Sequence, residues 1–153
     1  LDRLDRTRHA KGKEKVGAVR LEMQRAMQQY AAVFRSGKSL DEGVKKMDDI
    51  AGMLPSVGIE DRSLVWNTDL VEALELENLM SQALVTVRSA QQRTESRGAH
   101  AHEDFPDRDD ENWMKHTVMW LDEHNKSTVN YRDVTMSTLT NEVQSIPPVA
   151  RVY

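Results

Sequence analysis

Apolar residues recur at Val16, Val19, Met23, Ala26, Tyr30 and Val33, in steps of three and four. That spacing puts all six on one helical stripe, with Glu14, Arg20, Gln24, Arg25 and Gln28 off it. Ser36-Gly37 stops this helix, and Ser39 with Glu42 forms the S-x-x-E pattern of a capping box at the start of the next. Its stripe is Leu40, Val44, Met47, Ala51 and Leu54, closed by Pro55, which cannot donate the next helical hydrogen bond. A third helix opens at a cap on Asn67 or Thr68, with Asp69 and Glu72 suited to the positive end of its dipole. Its apolar residues, from Leu70 through Val87, cover more than one stripe, as a helix touching two neighbours requires. This helix is expected to run to Arg97, with Gly98 as its left-handed cap.

Beyond Gly98 the pattern changes. His100 to Asn112 is dense in charge and broken by Pro106, which predicts a loop. Thr117–Leu121 and Thr128–Tyr131 alternate as two short strands, with Glu123-His124-Asn125-Lys126 as the turn. A lone hairpin is marginal in water, so it must pack on the helices or on protein outside this chain. The expected fold is mainly α: an antiparallel three-helix bundle followed by a loop, a short β-hairpin and an extended tail. Residues 1–99 would hold the bundle and an extended N-terminal lead. Residues 100–153 would hold the loop, hairpin and tail, in one structural domain overall.

Composition narrows the function classes. The 153 residues include no cysteine, which excludes disulfides, thiol chemistry and Cys-ligated metal within the chain. No apolar run is long enough to span a bilayer. The opening Leu1-Asp2-Arg3-Leu4 lacks both an initiator Met and a signal-peptide core, which suggests a piece of a longer chain. Net charge is −4 but uneven: +6 over residues 1–38 and −10 over the remainder. The basic opening lacks the aromatic platforms and motifs of nucleic-acid binders, so no nucleic acid is expected as partner; an acidic neighbour or solvent suits it better.

No glycine loop for phosphates, no G-x-S-x-G elbow and no H-E-x-x-H helix is present, so no catalytic or cofactor-binding residue is assigned. Asp107, Asp109, Asp110 and Glu111 read as a solvated loop. His100 and His102, followed by Glu103, are weak candidates for a metal site, since imidazoles two apart on an extended segment can share an ion.

The run from Thr94 to His116, TESRGAHAHEDFPDRDDENWMKH, is distinctive. It resembles the C-terminal part of the succinate dehydrogenase and fumarate reductase flavoprotein subunits. So do Leu4–Gly12 (LDRTRHAKG), Arg20–Gln24 followed by Ala31–Arg35, and the closing Pro147–Tyr153. The direct passage from Arg108-Asp109-Asp110 to Trp113 is most like the bacterial members; at His102 the family more often carries arginine. Glu95-Ser96-Arg97-Gly98 by itself also resembles L-aspartate oxidase.

The resemblance implies a parent enzyme that oxidises succinate to fumarate with FAD, passing hydride to flavin N5 and electrons to an iron–sulfur subunit and quinone. Flavin and substrate residues would lie upstream, leaving this chain structural, without a cofactor of its own and inactive alone. Its partners would be the upstream flavin-binding and capping domains and the iron–sulfur subunit. It would sit peripherally on the cytoplasmic face of a bacterial inner membrane. Arg97, His100, Trp113, His116 and Trp120 are the interface candidates, with ordinary packing the alternative for the two tryptophans. Other readings are the C-terminal domain of L-aspartate oxidase, an autonomous helical interaction module, and a small metal enzyme using His100 and His102.

Overall fold

A computed structural model describes residues 1–149. The chain is mainly helical with a few short strands. In order these are α1 (Asp2–Arg8), β1 (Glu14–Lys15), α2 (Val16–Tyr30), β2 (Phe34–Arg35) and α3 (Gly37–Ala51), then a 3₁₀ turn at Leu54–Ser56 and β3 (Val57–Gly58). There follow α4 (Thr68–Gln92), β4 (Ala101–His102), α5 (Asp110–Trp113), β5 (Lys115–Leu121) and β6 (Ser127–Asp133).

Helices α2, α3 and α4 pack on one another and supply most of the core. Val16, Val19, Met23 and Ala26 of α2, Leu40, Met47 and Ile50 of α3, and Leu76, Met80, Leu84 and Val87 of α4 are buried. The crossing of α2 and α3 is close at Gly43, where a Cβ would stand 2.6 Å from the Cβ of Tyr30. Gly12 and Gly58 are similarly constrained: a Cβ on Gly12 would meet the Ser56 carbonyl oxygen at 1.8 Å.

Several sequence expectations change at helix ends. The lead is not extended: Asp2 to Arg8 are helical, with Asp2 and Asp5 in the first turn and Arg6 and Arg8 in the last complementing the dipole. Arg3 clamps this helix to α4, donating to Glu77 Oε2 at 2.7 Å, Asn78 Oδ1 at 3.0 Å and the Leu74 carbonyl at 3.2 Å. Helix α2 ends at Tyr30, leaving Val33 exposed, because the chain turns to pair β2 in parallel with β4. The cap of α3 is Ser36, not Ser39; the box is reciprocal between these two serines, with Ser39 N donating to Ser36 Oγ at 3.1 Å and Ser36 N to Ser39 Oγ at 3.0 Å. Asn67 caps α4 as expected, accepting from Leu70 N at 2.8 Å. Pro55 sits in the 3₁₀ turn beyond the end of α3.

The hairpin forms as expected, two residues longer at its first strand, with Met119 paired to Val129. Its turn is held by Asp122, whose carboxylate accepts from His124 N and Lys126 N at 2.8 Å each, while Asn125 takes φ 60°. Strand β5 packs on α4, and Arg88 ties three elements together by donating to Asn125 O and Asp48 Oδ1, both at 2.6 Å. β1 pairs in parallel with β3. The residues after β6 have no regular structure through Val149; Ala150–Tyr153 of the expected tail lie outside the described residues.

Leu84 is fully buried at the centre of α4. Leu84→Ala is expected to cost about 2–5 kcal/mol, read as a lowered urea midpoint, whereas Gln24→Ala on the exposed face stays within about 0.5 kcal/mol.

Candidate functional site

The third long helix stops at Gln92, five residues short of Arg97, and Arg93 adopts extended backbone values. The reason is electrostatic. In a helix, residues two apart do not face each other, whereas in an extended chain they lie on one side. Leaving the helix therefore lets Arg93 and Arg97 both turn onto Glu95.

Glu95 has 0% side-chain exposure. Arg93 donates to its Oε1 through Nε at 2.8 Å and Nη2 at 2.6 Å. Arg97 donates through Nε to Oε1 at 2.8 Å and through Nη2 to Oε2 at 3.0 Å. The backbone N–H of Asp109 completes the set, donating to Oε2 at 2.9 Å. Burial pushes this carboxyl up, but the bonds from Arg97, Asp109 and Arg93 outweigh it, and the group lies below the ordinary carboxylate range.

The two arginines carry the cluster outward. Arg93 donates to the carbonyls of Trp113 at 2.6 Å and Lys115 at 3.1 Å, and to Thr117 Oγ1 at 3.2 Å, which joins the end of α4 to β5. Arg97 pairs with Asp110 at 2.6 Å, and Arg108 pairs with the same carboxylate at 2.8 Å. Arg108 also donates to the Val149 carbonyl at 2.8 Å, holding the tail. Asp109 caps α5 by accepting from Asn112 N at 3.0 Å. The Asn112 bonds hold the Asp109 carboxyl down, and Arg97 and Arg108 do the same for Asp110. Within the segment expected to be a solvated acidic loop, Asp109 and Asp110 are thus held by backbone donors and arginines, while Asp107 and Glu111 are exposed.

His100 accepts from Arg35 Nη1 at its Nδ1, 2.9 Å away, and its Nε2 lies 3.1 Å from the Arg93 carbonyl. A guanidinium can only donate, so Nδ1 is the acceptor and the ring is the neutral Nε2–H tautomer. Burial, followed by the neighbouring positive charges, keeps its pKa below the usual histidine value despite the Arg93 carbonyl. His102 is 2% exposed, with its ring edge-on to His100 at 5.7 Å and Phe105 at 4.9 Å. Its Nδ1 has no hydrogen-bond partner among the described residues. A cation shared by these imidazoles would have to displace Arg35, and no described group of three or more His, Cys, Asp or Glu is arranged to hold one.

Arg97, His100, Trp113 and His116 do converge, around a depression of about 470 Å³ that Lys115 and Pro148 also line. Trp113 donates from Nε1 to Thr94 Oγ1 at 3.2 Å, and its ring lies beneath the charges of Arg93, at 5.2 Å, and Lys115, at 5.0 Å. Lys115 also stands 4.4 Å from the Tyr131 ring. Trp120 lies apart, toward the turn end of β5, and is 54% exposed. Sequence reasoning missed Arg35, Arg93, Glu95, Arg108 and Asp110. The R-x-E-x-R spacing of Arg93, Glu95 and Arg97 was the available signal, hidden by reading the helix through it.

Residues 20–153 match the family model described as fumarate reductase flavoprotein C-term. The chain belongs to that family. It is 55% identical, over its whole length, to a succinate dehydrogenase flavoprotein subunit of Rickettsia conorii, of which it spans 26%. It is 51% identical over 98% of its length to the mitochondrial succinate dehydrogenase flavoprotein subunit of Oryza sativa, spanning 24% of that protein. Among solved structures, a quinol fumarate reductase chain from E. coli superposes over 99% of this chain and 25% of its own, with TM-score 0.86 at 32% identity. The chain therefore spans about a quarter of the length of these relatives. No helix of the described residues is long and apolar enough to cross a membrane.

Glu95→Gln leaves two arginines without their carboxylate and is expected to cost about 3–5 kcal/mol in urea unfolding at neutral pH. The folded pKa of Glu95 is below the ordinary 4.5, so its stabilisation is complete above the unfolded value and drains away as pH falls through the folded one. The urea midpoint of the unaltered chain should therefore fall more steeply below about pH 5 than that of Glu95→Gln.

Proposed function

We propose that this chain is the C-terminal helical part of the FAD-containing subunit of a succinate dehydrogenase. It would be structural in role and inactive by itself. In that reading the whole polypeptide oxidises succinate to fumarate and hands electrons to an iron–sulfur subunit and then to quinone. One observation carries it: 55% identity along all 153 residues to a protein named succinate dehydrogenase flavoprotein subunit. The α2, α3 and α4 helices form an antiparallel bundle in this account.

Among the described residues, the glycines and arginines do not fit a flavin site. Gly12 and Gly58 are packed against backbone, leaving no cradle for a pyrophosphate. The arginines best placed to meet an anion, Arg93 and Arg97, already saturate Glu95 and Asp110. FAD, which supplies the hydride acceptor, would be held by upstream flavin-binding and capping domains of the same polypeptide. The five interface candidates then divide. His116 and Trp120 present exposed faces for contact, while Arg97, His100 and Trp113 hold the loop beside His116 in place. The subunit would lie peripherally on the cytoplasmic face of a bacterial inner membrane.

The test is the visible spectrum of the full-length polypeptide before and after succinate, with the 153-residue chain as control. A flavin band that succinate bleaches, with a colourless control, is the expected result. Bleaching by L-aspartate instead, or a folded, FAD-supplemented polypeptide without flavin, would overturn it.

A further inference from the structure

The loop between β3 and α4 exposes Leu64 at 68%, Val65 at 73% and Trp66 at 93%. Three adjacent exposed apolar residues oppose the usual partition of side chains, and a large aromatic almost wholly in water is rarer still. Trp66 also has φ 53°, a left-handed conformation that is strained for a non-glycine residue.

The loop is nevertheless firmly built. Asn67, itself 7% exposed, donates from its amide to the carbonyls of Asp61 at 2.7 Å and Ser63 at 2.9 Å while capping α4. Asp69 Oδ2 accepts from Glu60 N at 2.8 Å and Asp61 N at 3.3 Å. Ser63 N donates to Asp61 Oδ1 at 2.8 Å. Thr68 N donates to the Trp66 carbonyl at 3.0 Å, closing the turn that holds the strained residue. A rigid frame that spends strain to turn apolar side chains outward is the anatomy of a binding hot spot.

Leu64 and Trp66 line an open groove of about 410 Å³ with Leu70 and Val71 of α4 and Leu4 of α1. Val71, on the outer face of α4, is 54% exposed. The wall bearing Leu4 is fixed, since Arg3 clamps α1 to α4 at Glu77 and Asn78. Leu1, fully exposed, stands one helical turn from Leu4. Polypeptide preceding Leu1 would thus arrive beside the groove at high effective concentration, ahead of any separate partner.

We propose that this groove, with Trp66 as its anchor, is where the helical part docks on the preceding part of its own polypeptide. This rests on the reading that the chain is the final quarter of a longer flavoprotein, as its span of 26% of the Rickettsia relative supports. It adds the surface and the anchor, neither of which that reading specifies.

The absence of cysteine from these 153 residues provides the test. Leu64→Cys and Val71→Cys are made separately in the full-length polypeptide, without partner subunits. Maleimide labelling of each is followed by mass spectrometry of the peptide, with Lys45→Cys on the exposed face of α3 as reference. The expected result is labelling slower than at Lys45→Cys by about tenfold or more at both sites, restored toward the reference rate by Trp66→Ala. Labelling at the reference rate overturns the proposal. So does protection that appears only with partner subunits, which would assign the groove to another chain. Protection that grows with protein concentration would assign it to a second copy and also overturns it. The succinate test is independent: protection without a succinate-bleached flavin leaves the docking standing and removes the chemistry, and the reverse removes the docking alone.

Discussion

A carboxylate with no exposure to water, Glu95, organises the part of the chain that follows the helices. Stripped of its partners it would be expelled or protonated, because burying an isolated charge costs far more than a domain can offset. It stays ionised by receiving two guanidinium groups and a backbone N–H, and each donor reaches it only along one path of the chain. Arg93 must leave α4, Arg97 must stand at the turn that Gly98 opens, and Asp109 must arrive from the far end of the loop. The loop from His100 to Asn112 is thereby folded by charge, where sequence patterning alone gave no element.

Arginine repeats this role at three other places. Arg88 joins α3 and α4 to the hairpin turn, Arg35 joins β2 to the imidazole of His100, and Arg3 joins α1 to α4. In each case the fork of donors fixes a direction that an apolar contact would leave free. The helical core supplies bulk burial, through side chains such as Leu40, Leu84 and Val87, and the arginines then set how the short elements sit against it.

The helices were legible because their stripes are periodic: Val19, Met23, Met47, Leu76 and Leu84 are all buried as the spacing predicts. The hairpin was legible too, since alternation and an Asn-containing turn are local signals. Helix ends were read less well. Nothing in the apolar period of α4 says that Arg93 leaves it, since the decision depends on Asp109 and Asp110 more than ten residues away. Likewise α1 was missed because its stability comes from Arg3 reaching Glu77, a contact no local pattern contains. The family was legible from the Thr94–His116 run, and the structure supplies its physics: Glu95, Arg97, Asp109 and Asp110 are one another's partners.

In the proposed reading, these two kinds of surface would let a part without recognisable chemistry of its own support an enzyme. An apolar cluster of the same size as the Glu95 network could give equal stability, since buried ion pairs are no stronger than good packing. What ion pairs add is orientation: Lys115 and Trp113 are held by bonds from Arg93 to their carbonyls, so β5 cannot slide against α4 without breaking them. The outward faces of His116 and Trp120 inherit that fixed register through the strand. At the opposite end of α4 the Asn67 frame does the same for Trp66. A helix pinned at both ends by directional bonds becomes a strut, and contacts made at one end are held at a set distance from contacts made at the other. If the part positions neighbours, as proposed, that rigidity is what its buried polar groups supply.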